Sequence, residues 1–132
     1  MTPPSHPDRR AFLQGTLRTV TAIAVVGGCS SDRPYSDAAL AQPALLPVLG
    51  AARVREIGHA YRRITPTESA APALRAAIAH GAQSLRDLPW SPYPSLDALI
   101  ASDFAEDRVV FPAGWMLSVT EARQCALFTL QG

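Results

Sequence analysis

Apolar residues recur at helical spacing along four segments of the chain. The segments are residues 45–64, 69–88, 96–106 and 119–130. Side chains three and four positions apart share one face of an α-helix, so each segment predicts a helix with one buried stripe. The fold class expected from this pattern is a small, mostly α-helical domain of about four helices.

The first two helices are expected to pack antiparallel to each other. The stripe of the first consists of Leu46, Leu49, Ile57, Ala60 and Ile64. The stripe of the second consists of Leu74, Ile78, Gly81, Leu85 and Leu88. Gly81 would let the two helices approach closely. Arg53 projects from the first stripe, either as an arginine at the edge of the core or as one that faces a partner or a buried acid.

Two short segments interrupt the helical pattern. Residues 89–94 contain three prolines, which exclude a helix or a central strand, and Trp90 and Tyr93 there would cover the core or meet a partner. Residues 108–117 predict a short β-hairpin that turns at 112–114. Ser118 and Glu121 then have the spacing of a capping box and begin the last helix.

The N-terminus carries an export motif. Residues 8–14, Asp-Arg-Arg-Ala-Phe-Leu-Gln, resemble the twin-arginine (Tat) signal, and Arg9, Arg10, Phe12 and Leu13 are the positions that match. The apolar stretch that follows, residues 17–28, would form a helix of about 18 Å, too short for a bilayer core of about 30 Å. The resemblance implies export by the Tat translocon, with residues 1–28 outside the fold.

Two cleavage sites remain open. Val26-Gly27-Gly28-Cys29 resembles a lipobox, at which Cys29 is diacylated and becomes the first residue. Ala39-Leu40-Ala41 matches the site of ordinary signal peptidase. We favour Cys29, because it directly follows the apolar stretch. The domain organisation is then a signal at 1–28, a flexible tether at 29–43 and a helical domain at 44–132, held on a membrane by the lipidated Cys29.

Composition excludes several classes of protein. The chain has 132 residues, of which 48% are hydrophobic and 17% charged, with a formal net charge of +1. With this composition the chain is too apolar for a disordered tail, and its net charge is too close to zero for an electrostatic nucleic-acid binder. Two cysteines supply neither a disulfide framework nor a four-ligand zinc site.

The candidate catalytic residues are few. His59 and His80 lie away from the apolar stripes and have no ligating residue at helical spacing, so we expect them to be exposed. Cys125 is expected to be a buried thiol, with a disulfide to Cys29 only if lipidation fails. Asp103, Glu106 and Asp107 are expected to be solvated acids. We therefore predict no cofactor and no enzymatic activity, with an enzyme that uses these acids or Cys125 as the remaining alternative.

The Tat route carries folded proteins, commonly because they hold a cofactor. The signal, the chain length and residues 53–61 resemble the small Tat-signal subunits of membrane-associated sugar and alcohol dehydrogenases, of the gluconate dehydrogenase subunit 3 type. This resemblance implies a non-catalytic periplasmic subunit that escorts a larger, cofactor-bearing oxidoreductase. The candidate contacts are Arg53, Trp90, Tyr93 and Trp115, since these residue types dominate interface hot spots.

A second resemblance assigns no activity. Residues 114–123 resemble the ending of small Tat-exported bacterial proteins with no assigned activity. The alternative to an escort subunit is a stand-alone envelope lipoprotein with a structural or binding role, in which Tat export would reflect rapid folding alone.

Overall fold

The computed structural model describes residues 33–131 of the chain. Arg9, Arg10, Phe12, Leu13 and Cys29, the predicted signal and lipidation residues, lie outside this range. The described helices are α1 (Asp37–Leu40), α2 (Leu46–Leu49), α3 (Ala51–Ile64), α4 (Ala71–Ser84), α5 (Leu96–Ala105) and α6 (Val119–Thr129). Strands β1 (Val109–Val110) and β2 (Leu117–Ser118) form an antiparallel hairpin before α6. The predicted fold class, mostly helical with a short hairpin before the last helix, is confirmed.

The first predicted helix is interrupted at Gly50. This residue has a φ of 83° and a ψ of 161°, values that separate α2 from α3. The restart shifts the buried face of α3 to Val54, Ile57, Gly58 and Tyr61, with Ala60 beside them. Ile64 is 58% exposed, against expectation, and Arg53 lies outside the buried face.

Two later helices also differ from their predicted stripes. Helix α4 ends at Ser84, so Leu88 lies beyond it and is 45% exposed. In α5 the buried side chains are Leu99 and Asp103, four residues apart, while Phe104 is 42% exposed. Phe104 lies outside the buried face although it is apolar, because Asp103 takes the inward position next to it.

Helix α6 lies at the centre of the fold. Helices α3, α4 and α5 and both strands pack against it, and its most extensive interface is with α3. The expected hairpin of the first two long helices is therefore wrong, since α3 and α4 each take α6 as their main helical neighbour. The capping box of Ser118 and Glu121 is present at the start of α6, as predicted.

Gly58 permits the close contact between α3 and α6. A Cβ atom placed on Gly58 would lie 2.2 Å from the backbone oxygen of Cys125 and 2.6 Å from Cγ2 of Thr129. The two backbones therefore touch at this point, and no larger residue fits. Gly81, which was expected to provide the close approach, does not do so. A Cβ atom placed on it would lie 3.6 Å from Cδ1 of Leu99, an ordinary van der Waals contact.

The core divides into two clusters, and both receive side chains from α3 and α6. One also draws on α4 and α5 and includes Tyr61, Leu74, Ile78, Leu99 and Ala126. The other joins α3 to β2 and α6. It consists of Val54, Ile57, Leu117 and Cys125, with Leu45, Leu46, Leu49 and Phe128 packed against them.

The folded domain begins before residue 44. Leu40 and Ala41 are each 4% exposed and belong to the first core cluster, and Tyr35 packs against it. The expectation of a flexible tether is therefore wrong for residues 35–43. Residues 37–40 form one amphipathic helical turn, with Leu40 buried. A single turn is too short to show a helical period in the sequence.

Replacing Gly58 by Ala should destabilise the protein by about 3 kcal/mol, because the added methyl group must push α6 away from α3. Gly81→Ala is the matched control. It should leave the free energy of unfolding unchanged or raise it by up to about 1 kcal/mol, since alanine is the better helix former. Urea unfolding followed by circular dichroism measures both values, and equal effects of the two substitutions would contradict the close contact.

Candidate functional site

The four predicted partner contacts fall on two different parts of the chain. Trp90 and Tyr93 lie in the connection between α4 and α5. Trp115 follows the turn at Pro112–Gly114, which packs against α3, the helix that carries Arg53. Arg53 is exposed and forms an ion pair with Glu56 at 2.6 Å.

Tyr93 has a structural role. It packs against the first core cluster, and its ring lies under the guanidinium of Arg86, 4.3 Å from the ring centroid. Its hydroxyl donates to Oε1 of Gln83 at 3.2 Å. Of the two roles left open for this pair, Tyr93 covers the core. Trp90 does not, since it is 78% exposed.

The hairpin presents three large apolar side chains to solvent. Phe111 is 62% exposed, Met116 61% and Trp115 38%. We call these three residues the hairpin tip. Isolated apolar side chains are common on protein surfaces, but three within six residues on one turn are typical of an interaction site.

The backbone of the turn holds the hairpin tip in a defined conformation. Pro112 is buried, Ala113 has a φ of 54° and Gly114 has a φ of 82°. A non-glycine residue in the left-handed region costs about 1–2 kcal/mol and persists only where its surroundings enforce it. Phe111 and Met116 are not among the contacts predicted from the sequence, because the pattern of residues 108–117 assigns both to the strands of a hairpin. The Phe-Pro-Ala-Gly-Trp-Met sequence, with apolar residues on both sides of a turn, was the available signal.

A groove of about 700 Å³ lies between α4, the hairpin and α6. Small and branched apolar residues form much of its lining, among them Ala76, Ala77, Gly81, Val110 and Val119. The polar residues of the lining include His80 and Ser84 from α4, together with members of two ion pairs. These pairs decide what chemistry the groove offers.

The first ion pair contains a buried acid. Asp103 is 2% exposed, so the prediction of a solvated acid is wrong for this residue, while Glu106 and Asp107 are exposed as expected. The Oδ1 atom of Asp103 accepts from Nε of Arg108 at 3.0 Å, and its Oδ2 atom accepts from the backbone N–H of Thr120 at 3.0 Å. Both oxygens are used, and the carboxylate joins the end of α5 to the first turn of α6.

The second ion pair joins α6 to the turn at Pro66–Glu68. Arg123 donates to both oxygens of Glu68, at 2.8 and 2.9 Å, and the hydroxyl of Tyr61 donates to Oε2 at 2.5 Å. The hydrogen bonds from Arg123 lower the pKa of Glu68. Burial, and then the hydrogen bond to Glu68, raise the pKa of Tyr61 to about 12. Glu68 thus joins the turn at Pro66–Glu68 to α6 through Arg123 and to α3 through Tyr61.

The remaining candidate groups are a thiol and two histidines. Cys125 is buried, as predicted, and burial raises the pKa of its thiol to about 12, which leaves it protonated and a poor nucleophile at neutral pH. His59 and His80 are exposed, also as predicted. Within residues 33–131, no group of three or more His, Cys, Asp or Glu side chains could hold a metal ion.

Comparisons with known proteins add no family assignment. No protein-family model matches the chain, and comparisons with curated proteins and with solved structures also gave no match. Among the helices of the described part of the chain, none has the length and apolarity needed to span a bilayer. The hairpin tip is therefore assigned as the candidate site from its geometry alone.

Glu68→Gln should destabilise the protein by about 1–3 kcal/mol at pH 7, because Arg123 would lose its charged partner. The folded-state pKa of Glu68 is lowered, so its contribution is complete above about pH 5 and is lost as pH falls through that lowered value. The stability difference between wild type and variant should therefore narrow below about pH 4. Glu106→Gln, at a mostly exposed pair, is the control and should change stability by less than about 1 kcal/mol. Urea unfolding at several pH values measures these differences, and a difference that does not vary with pH would contradict the assignment.

Cys125 should react with Ellman's reagent only when the protein unfolds, because its thiol is buried and protonated. In a Cys29→Ser background, where Cys125 is the remaining cysteine, we expect a reaction at pH 8 at least about a hundredfold slower than in urea. An immediate reaction of the folded protein would place the thiol at the surface and reopen its candidacy as a nucleophile.

Proposed function

We propose that the chain is a non-catalytic accessory protein, exported by the Tat translocon, that docks through its hairpin tip on a larger cofactor-bearing oxidoreductase. The docking site is carried by one observation, the exposure of Phe111, Trp115 and Met116 on a turn with a fixed backbone. Aromatic and methionine side chains of this kind are enriched in interface cores. A preformed turn also loses little conformational entropy on binding.

The polar groups of the groove support a non-catalytic role. Asp103 uses both oxygens to join α5 to α6, and Glu68 is held by Arg123 and Tyr61. An acid or base that transfers a proton to substrate needs a lone pair or proton directed at it. These carboxylates direct theirs at the protein itself, which favours a structural role for both.

The export part of the proposal comes from the sequence. Arg9, Arg10, Phe12 and Leu13 match the Tat signal, and Cys29 follows a lipobox-like segment. The proposed location is the periplasm, with the protein anchored by a diacylated Cys29. Two acyl chains are sufficient for stable anchoring. The Tat route commonly carries proteins that have already bound a cofactor, whereas this sequence has no cofactor motif. Escort of a folded, cofactor-loaded partner would account for the use of this route.

The test is co-purification from the cell envelope with a C-terminally tagged chain. We expect a larger flavin- or metal-bearing protein in the wild-type sample. Phe111→Ser combined with Met116→Ser should reduce its recovery at least about tenfold, as expected for hot-spot residues. Val48→Ser is the control, since Val48 in α2 is apolar and 78% exposed but belongs neither to the hairpin tip nor to the candidate contacts. Circular dichroism should show both variants folded, because the replaced side chains are mostly solvated.

Export is tested by Arg9→Lys combined with Arg10→Lys. This change should leave both the chain and its partner in the cytoplasm. If the partner is exported normally in cells that lack this chain, the escort role is wrong and the stand-alone lipoprotein is favoured. A purified wild-type domain that carries a chromophore, or one metal ion per chain, would overturn the non-catalytic assignment.

A further inference from the structure

The segment of residues 35–43, here called the latch, is part of the folded core. Leu40 and Ala41 are each 4% exposed and lie in the cluster that also holds Tyr61, Leu74 and Leu127. Pro43 is buried as well. Removal of these side chains would uncover apolar surface of α4 and α6.

Polar contacts hold the latch to several elements. The hydroxyl of Tyr35 donates to the backbone oxygen of Pro94 at 2.7 Å. Asp37 forms an ion pair with Arg75 of α4 at 3.1 Å. The backbone oxygen of Ala39 accepts from Nε2 of Gln124, a residue of α6 that is 2% exposed. Loss of the latch would leave that buried amide without this acceptor, at a cost in stability.

The bond after Ala41 lies within this segment. Residues Asp37–Leu40 form helix α1, and the backbone N–H of Ala41 donates to the oxygen of Asp37 at 3.1 Å. Ala41 is the C-cap of this helix, Gln42 is exposed, and the side chains of Leu40, Ala41 and Pro43 are buried. Proteases cleave exposed, flexible segments that can extend in the active site, so a bond flanked by buried side chains is cut only after local unfolding. The Ala39-Leu40-Ala41 motif is therefore protected in the folded chain.

We infer that the exported chain is not processed at Ala41 and that the mature protein keeps the latch. This inference rests on the proposed Tat export, because a Tat substrate folds before it meets a signal peptidase and so arrives with the motif buried. The processed end must then lie before Tyr35. Of the two sites that the sequence offers, only Cys29 satisfies this condition.

The first experiment identifies the N-terminus of the envelope form by intact mass and N-terminal peptide mapping. The expected product begins at Cys29 and carries the mass of a diacylglyceryl group. Any product that begins before Tyr35 supports retention of the latch, whereas one that begins at Gln42 overturns it. A chain that stays full-length in the cytoplasm refutes the proposed export instead, so the two failures are distinguishable.

The second experiment tests the latch without export. The purified full-length chain is treated with elastase, which cuts after alanine, and cleavage after Ala41 is followed by mass spectrometry. Leu40→Asp should speed this cut at least about tenfold, because the charge cannot stay in the core. Leu88→Asp, at a half-exposed position outside the core, is the control. Equal cleavage of wild type and Leu40→Asp would overturn the inference.

A milder variant covers the case in which Leu40→Asp fails to fold. Tyr35→Phe combined with Arg75→Ala removes two polar contacts of the latch and leaves its apolar side chains in place. Its circular dichroism should match wild type while its cleavage after Ala41 is several-fold faster. A folded double variant that is cut no faster than wild type would also count against the latch.

Discussion

The backbone contact between α3 and α6 at Gly58 determines the arrangement of the other elements. With no side chain at this position, the oxygen of Cys125 approaches α3 within the space that a methyl group would fill. Ala122 and Ala126, both buried, give α6 small side chains at two further positions. Because its side chains are small at these positions, α6 can be packed against α3, α4 and α5 at the same time. A short chain thereby buries a core around one central helix.

Two ion pairs then join outer elements to this helix. Asp103 ties the end of α5 to the start of α6, and Glu68 ties the turn before α4 to Arg123 in the middle of α6. Buried carboxylates are costly unless each oxygen is paired, and here each has directed donors. Of the three acids considered for catalysis, Asp103 therefore contributes to the architecture, while Glu106 and Asp107 are exposed. Among the exposed apolar side chains of the described residues, Phe111, Trp115 and Met116 lie together on one turn, the hairpin tip.

The latch and the hairpin tip show why short elements determine the functional interpretation. Both are turns of a few residues whose significance depends on what they touch. The latch carries a motif suitable for proteolysis, but Leu40 and Ala41 are in the core. The hairpin tip carries residues suitable for the core, but Phe111 and Met116 are in solvent. In each case the local sequence favours the opposite of the location that the fold assigns.

The sequence by itself determined that the long helices and the β-hairpin are present, though not all helix boundaries. It also determined the capping box at Ser118 and Glu121, the exposure of both histidines and the burial of Cys125. These features depend on periodicity, caps and turns, which act over a few residues. The resemblance of residues 8–14 to an export signal also comes from the sequence, since such a signal is read as a linear segment. Only the tertiary structure decided that Gly58 and not Gly81 brings helices together, that Asp103 is buried, that Glu68 pairs with Arg123, and that residues 35–43 belong to the core. Each of these depends on a partner more than ten residues away, and no local pattern encodes the identity of that partner.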